Sequence, residues 1–576
     1  MSGIFYKSSY KTKTDIESFI KSTDKLYKRG NNNQYLFLNN HSIGKRYRNI
    51  EDGIVGDGNN ILCSDCNIFN KDELSKYINE DKNLLLELLN KYKTNILDKL
   101  NGMYSFIYIT PDEAIIARDI FGIKPMYYSF IDDDIIASSE IKAILEYTNK
   151  RVLTNEGICE IIGMGPSHSL GKTIYKDIYE LKPGYYIRIN QNGYELKSYY
   201  TLPVYNHDIS YETTVKIVKD LLTNSIVNKI KTDKNSTLLS GGIDSSIISK
   251  IVSDQSDCID TYSINYLNSD FVKSKYINSD DKEYIKLMVP YISSHHTDIY
   301  ITDEEVIEGL KSSVLLRDGP NMTDIDSSLI KLCEMIQKSH NSSFSGECSD
   351  EIFAGYPWFK DENYKSFPWI RNITLRQELL NEKYKKKIDL SKYVSTEYNN
   401  AINDAPIMGD LLDKERQLNY INLKYFMLNL LDRTERIAGG LGIDVMVPFC
   451  DKELIELLYN VPLSYKNKDN INKKLLKDAF KDELPKEVVE RKKSPYPKSN
   501  SLKYGDIVKN LLLNTLKDKD SILNKIFNAD KIKELIIDKE ELDEPWYGQL
   551  MGKTQMMAYL YQIDYWFKEY NMRLED

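Results

Sequence analysis

The stretch Thr237-Leu238-Leu239-Ser240-Gly241-Gly242-Ile243-Asp244-Ser245-Ser246 decides how the larger part of this chain folds. Thr237-Leu238-Leu239 reads as the end of a strand, and Ile247, Ile248 and Ile251 read as one face of a following helix. The two glycines between them allow positive φ and close backbone approach. Free N–H groups at the helix start, with the helix dipole, hold an anion there, and the serine hydroxyls add donors. Asp244 cannot favour a phosphate directly, but it can hold a Mg²⁺ that does. A glycine turn alone is weak. The whole heptad between a strand and a helix is a much stronger signal for a phosphate site. It lacks the Gly-Lys-Ser/Thr ending of a Walker loop, so γ-phosphate transfer is not implied.

Outward from this turn, helical periodicity runs from Tyr211 through Val218, Leu221, Leu222 and Ile226, and a second strand is expected over 259–264. Strand, turn, helix and strand in that order open a parallel α/β domain. From about Ser328 the pattern is mostly helical to the end. Before residue 202 the chain reads as short strands, at 36–38, 60–63, 105–109, 114–117 and 135–138, with a helix over 84–89. That is an α+β, layered-sheet domain, closed by a strand near 187–189 and a turn at 190–193. Residues 202–210 look like a linker. The boundaries expected are 1–205 and 206–576.

Composition agrees with two or more domains, because 576 residues exceed the roughly 250–300 that one core supports. A net charge of −9 leaves no dominant basic footprint for nucleic acid. No run of about 18 apolar residues suggests a membrane span. The seven cysteines are scattered, which fits a reducing, cytoplasmic setting. Adjacent His295 and His296, ahead of a strand, are expected to point to opposite faces, so a metal shared between them is not expected.

Four ordered segments carry a family resemblance. The 240–246 heptad resembles the pyrophosphate loop of enzymes that cleave ATP to AMP and pyrophosphate, and among those the asparagine synthetases. Ser345-Gly346-Glu347-Cys348-Ser349-Asp350-Glu351-Ile352-Phe353-Ala354-Gly355-Tyr356 resembles their second motif. Glu435-Arg436 with Val447-Pro448-Phe449-Cys450-Asp451, and then Arg491-Lys492-Lys493, resemble later segments. By this resemblance Glu347 serves the incoming amine, and Asp244 and Asp350 hold Mg²⁺-pyrophosphate. Lys493 neutralises the phosphates. Leu238, Ile264 and Gly346 contact adenine and ribose, and Ser240, Gly241, Gly242, Ser245 and Ser246 cradle the phosphates. ATP and Mg²⁺ are the implied cofactors, a small carboxylate such as aspartate and ammonia or glutamine the implied substrates.

The N-terminal part resembles the family's glutaminase domain, an Ntn-hydrolase-like fold, through Lys28-Arg29-Gly30, 100–106, Arg118-Asp119, 122–128, 139–142 and 181–184. Its chemistry residues depart from the pattern. The family's nucleophilic Cys, with its own α-amine as base, is Ser2 here. The oxyanion segment Asn-Gly-Glu reads Asp65-Cys66-Asn67, and an Asp repels a developing oxyanion. The Arg that grips glutamine's carboxylate aligns with Asn40, while Asp81 matches the acid for glutamine's amine. A hydrolytically dead glutaminase domain is the expectation. β-Lactam synthetases and lasso-peptide cyclases share the architecture and also lack the Cys. Met446 in place of an expected Arg, and the unusual 321–328 segment, keep such a sister ligase open, and a non-catalytic homologue is the remaining alternative.

Overall fold

The computed structural model describes residues 1–78, 83–230, 234–267, 279–360, 364–538 and 540–575. Asp81 lies outside the described residues.

The N-terminal part stacks two six-stranded antiparallel sheets. One contains Ser2–Ser8 paired with His41–Tyr47 and Asp134–Ser138, and the other contains Ile61–Ile68 paired with Gly102–Ile109. Strand alternation sends Ile4, Tyr6, Ile43, Cys63, Ile107 and Ile116 into the core between the sheets. Helices Ile16–Asp24 and Ile141–Thr148 cover the outer face of the first sheet, with Phe5 and Phe19 at a ring separation of 4.9 Å. The expected strands are all present. The turn at 190–193 does not close the domain, however: it is a hairpin into one more strand, Gly193–Ser198, which pairs with Tyr185–Asn190.

The second part is built on a five-stranded parallel sheet. Across the sheet the strands run His295–Ile301, Cys258–Tyr266, Lys234–Leu238, Ser342–Phe344 and Asp444–Met446. In chain order this is 3-2-1-4-5, so the direction of winding reverses between Lys234–Leu238 and Ser342–Phe344. Loops leaving the carboxyl ends of two such strands diverge and open a crevice. The phosphate turn leaves the first of these strands and the 345–356 motif leaves the second. Helices fill most of the remaining chain, among them Asp324–Ile336, Met427–Gly440 and Lys553–Glu569. Met446 is fully buried in the core of this sheet.

His295 begins the edge strand, and its side chain and that of His296 do part to opposite faces. His296 meets Thr261 and Ser263, while His295 meets Cys258. All seven cysteines are free, and among the described residues no helix is long and apolar enough to cross a membrane.

Candidate active site

A cavity of about 1060 Å³ opens at the crevice and is lined by Leu238, Ser240, Gly242, Asp244, Ser245 and Ile264 from one side. Gly346, Glu347 and Asp350 line it from the other, and Lys493 also borders it. Leu238 thus ends a strand, Gly242 caps the helix Ile243–Asp254, and Gly241 takes φ +66° between them. A Cβ on Gly241 would lie 2.5 Å from Tyr284 Cβ, so the turn needs glycine for space as well as for conformation. Ser245 Oγ bonds within the turn to the Ser240 N–H at 3.2 Å, and the Ser246 hydroxyl is buried behind it.

The carboxylates from the two motifs meet through a lysine that sequence reading missed. Lys473 Nζ donates to Asp244 Oδ1 and Oδ2 at 2.8 and 2.7 Å and lies 2.6 Å from Asp350 Oδ1. Ser349 Oγ donates to Asp244 at 2.6 Å, and Lys493 pairs with the other oxygen of Asp350. Burial alone would raise the Asp350 carboxyl, but the two ammonium groups outweigh it and bring it down to about 2. The same acids hold Lys473 charged against its own burial. Gly355 is required here: a Cβ would sit 2.0 Å from Asp350 Oδ1 and 2.5 Å from Lys473 Cε. The neighbouring Glu351 is pushed up to about 7 by burial and by Asp350, and accepts the Tyr356 hydroxyl at 2.6 Å.

Glu347 lines the same cavity but has different partners. Arg433 donates to it at 3.1 Å and the Thr434 hydroxyl bonds its other oxygen. Arg433 is held in turn by Asp326 at 2.8 Å and lies over the Tyr496 ring at 4.8 Å. Burial pushes the Glu347 carboxyl up, against the opposing pull of Arg433 and Thr434. Asp326 and Asp324 place the unusual 321–328 segment in the interior. Asp326 bridges Arg317 and Arg433, and Asp324 accepts the Ser499 N–H at 2.9 Å. Arg491 binds the phosphate turn itself, donating to Ser240 O at 3.0 Å while stacking on Tyr284.

Glu435 and Arg436, quoted beside the other motifs, do not reach this cavity. They turn to the N-terminal part. Glu435 accepts from Arg29 Nη1 at 2.8 Å and lies 3.6 Å from Lys124. Arg436 bonds Asp318 and donates to the Tyr127 hydroxyl at 3.1 Å.

The residues expected by resemblance at an N-terminal glutamine site divide. Asp65 shares a strand face with Cys63, toward Ser2 and the chain's amino terminus, and it pairs with Lys124 at 3.3 Å. Burial would raise the Asp65 carboxyl, but Lys124 and the terminal ammonium bring it down. Asn67 Nδ2 donates to Asp444 at 3.3 Å, across to the second part of the chain. Cys66 faces the opposite side, where burial raises its thiol. Asn40 is not brought to this site. Ser2 pairs with Tyr47 and Ser8 with His41, so Asn40 lies at the far end of the strand, on the order of 20 Å from Ser2 at 3.3 Å per residue. On this strand and just beyond it, Arg46, paired with Asp24, and Arg48, donating to Lys28 O at 3.0 Å, lie at the Ser2 end. The match of Asn40 through the His-Ser-Ile stretch therefore does not hold, because a shift of a few residues within a strand moves a side chain to its other end.

Lys473 carries no local signal, standing among lysines and asparagines at 466–474. Arg433 and Thr434 could have been found by helical spacing, being on the same helix as Glu435 and Arg436 but rotated to another face.

Comparison with known proteins agrees with this arrangement. The family described as asparagine synthase matches residues 217–568, and the glutamine amidotransferase domain family matches residues 1–200. Asparagine synthetase [glutamine-hydrolyzing] 3 of Bacillus subtilis is 32% identical over 96% of this chain and 96% of its own length. Asparagine synthetase [glutamine-hydrolyzing] 1 of the same organism is 23% identical over 72% of this chain and 71% of its own length. With motifs, strand order and sequence relatives in agreement, the chain belongs to the asparagine synthetase family.

Proposed function

We propose that this protein is an ATP-dependent ligase that converts aspartate to asparagine, with AMP and pyrophosphate as the other products. The observation that carries the reading is the convergence of Asp244, Asp350, Lys473 and Lys493 at the point where the sheet reverses its winding. In this reading residues 206–576 form the ligase unit and residues 1–205 a glutaminase-like unit.

The side-chain carboxylate of aspartate attacks the α-phosphorus of ATP, the bond to the β-phosphate oxygen breaks, and pyrophosphate leaves. Ser240, Gly241, Gly242, Ser245 and Ser246 receive the phosphates, while Lys473 and Lys493 offset the charge that grows on them. The adenine and ribose lie against Leu238, Ile264 and Gly346. Ammonia then attacks the acyl carbon, AMP leaves, and the proton shed by the new amide nitrogen goes to Glu347. A carboxylate raised by burial is better matched to accept that proton near neutral pH.

The donor set fits a magnesium ion. Asp244 and Asp350 present hard carboxylate oxygens drawn together on one ammonium group, a donor type that suits magnesium. These two acids would hold it, and when bound it supplies charge neutralisation for the pyrophosphate.

For the nitrogen source we infer free ammonia. Asp65 occupies the oxyanion position and is committed to Lys124, and a serine replaces the thiol. The seven free cysteines support a reducing, cytoplasmic location.

The test is to incubate the purified protein with ATP, Mg²⁺ and aspartate, adding either ammonium or glutamine, and to measure AMP, pyrophosphate and asparagine. Ammonium is expected to support asparagine formation and glutamine at least about tenfold less. Pyrophosphate release with a different carboxylate but not aspartate would sink the substrate assignment. Equal rates with glutamine, lost in Ser2→Ala, would show that Ser2 is a working nucleophile.

A further inference from the structure

The parallel sheet has a second end. At the amino ends of its strands, opposite the phosphate turn, Cys258 starts one strand and His295 starts the edge strand beside it. Asp260 is the register partner of His295. Their side chains converge: Cys258 Sγ lies 3.4 Å from His295 Nδ1, and Asp260 Oδ1 lies 3.6 Å from that same nitrogen. One ligand atom from each of the three falls within 4.8 Å of the other two.

These separations are the edges of a coordination polyhedron. A tetrahedral ion with about 2.3 Å to sulfur and about 2.0–2.1 Å to nitrogen and oxygen has a sulfur–nitrogen edge of about 3.6 Å and a nitrogen–oxygen edge of about 3.3 Å. The observed pairs match both to a few tenths of an ångström without any backbone movement.

Asp260 is also oriented. His340, itself buried, bonds Asp260 Oδ2 at 2.7 Å, and Lys234 lies 3.6 Å from that same oxygen. Both partners therefore engage Oδ2 and leave Oδ1 turned toward Cys258 and His295. A histidine bonded to the outer oxygen of a ligating carboxylate fixes the inner one, an arrangement that raises metal affinity.

We propose that Cys258, Asp260 and His295 form a binding site for a divalent, borderline-soft metal ion of the zinc or cobalt type, with His340 as the residue that positions Asp260. Mixed sulfur, nitrogen and oxygen donors suit such an ion and not the magnesium expected at the other end of the sheet. Binding releases the Cys258 thiol proton to solvent and leaves the fourth position to water. The ion joins the starts of two strands at the sheet edge, at the end remote from the ligase cavity, and keeps one coordination position open to water.

The experiment uses the full chain, stripped of metal by chelator dialysis, reduced, and titrated with Co²⁺. The expected result is one equivalent bound, with thiolate-to-cobalt charge-transfer absorption and the strong visible bands of tetrahedral cobalt, displaced by Zn²⁺. Cys258→Ser is expected to abolish the charge-transfer absorption, and Cys66→Ser, the other cysteine with partial exposure, to retain it. His295→Asn weakens binding at least about tenfold, as does His340→Ala, since such supporting residues contribute about 10–100-fold. ATP–pyrophosphate exchange changes by less than about twofold in Cys258→Ser. No saturable cobalt absorption in the native protein, or absorption that survives Cys258→Ser, overturns the site.

Discussion

One helix, Met427–Gly440, borders two charged clusters, and they are built to opposite ends. On the cavity side Arg433 and Thr434 hold Glu347, near the group formed by Asp244, Asp350, Lys473 and Lys493. That group borders open space. On the other side Asp432, Glu435 and Arg436 meet Arg29, Tyr127, Lys124 and Asp318, with Asp65 and Glu140 behind them, and the charges close on one another. Lys124 alone touches Asp65, Glu435 and Asp444, at 3.3, 3.6 and 3.3 Å. The residue types are the same. The difference is that phosphates entering the cavity can take over its cations, whereas the buried acids and cations of the other cluster are engaged with one another. A charged group acts as a site when its pairing can be exchanged, and as a joint when its partners are buried against one another. In this chain the joint includes Asp65, which on the proposed reading stands where a glutaminase would need an oxyanion donor.

The sharpest way to break that contrast is to remove a cation from each cluster. Lys493→Met takes the cation from the open one. ATP–pyrophosphate exchange is expected to fall by about 10³–10⁴-fold, equivalent to about 4–5.5 kcal/mol of transition-state stabilisation. The unfolding midpoint should move little, because Lys473 still pairs with Asp350. Exchange within tenfold of the native rate would remove Lys493 from the chemistry.

Lys124→Met takes the cation from the closed cluster. Asp65, Glu435 and Asp444 then lose their shared counter-charge, with Arg29 still beside Asp65 and Glu435, and breaking such a buried pairing costs up to about 3–5 kcal/mol. Urea unfolding monitored by circular dichroism should show that loss, while the ammonium-dependent rate per folded molecule stays within about threefold. A full loss of rate with unchanged stability would invert the assignment of site and joint.

The two clusters were not equally legible in sequence. The open one was largely visible, because its acids and glycines lie in two short loops whose local order already requires them: glycine at 241 for its positive φ, and Asp350 a few residues before Gly355. Its missing member, Lys473, is brought in from more than a hundred residues away, out of a lysine-rich run that reads as a solvated face. The closed cluster was visible only as an anomaly. Asp65 was seen to be wrong for an oxyanion hole, but its partner Lys124 sits on a loop folded by Asp119, which accepts the N–H groups of Phe121, Ile123 and Lys124. Local pattern reports what a loop can do by itself. It does not report which of two domains will supply the counter-charge, nor, as Asn40 shows, where along a strand a divergent residue ends up.

Acidity separates the two regions by smaller effects of opposite sign. In the cavity wall Glu351 is raised to about 7, from an ordinary value near 4.5, by burial and by Asp350. A raised carboxyl contributes fully below its unfolded value, and that contribution is lost as pH rises through about 7. Glu351→Gln should therefore be more stable than the native protein at pH 8, by an amount on the order of 2 kcal/mol, and the advantage should vanish near pH 4.5. In the N-terminal sheet His41 is lowered to about 4 by burial between Tyr6 and Tyr10. Its neutral form is the folded one, so its contribution is present above about 6.5 and is lost as pH falls toward 4. Stability should decline over that window, with His41 supplying at most about 1.4 kcal/mol per pH unit. His168, also lowered to about 4 by burial, adds a decline of the same sign. His41→Gln should remove its share of the slope. Urea midpoints measured from pH 4 to 8 for the native protein and both variants decide the matter. A His41→Gln curve parallel to the native one would mean that this imidazole titrates alike in the folded and unfolded chain, and that the sheet does not exclude water as tightly as its packing implies.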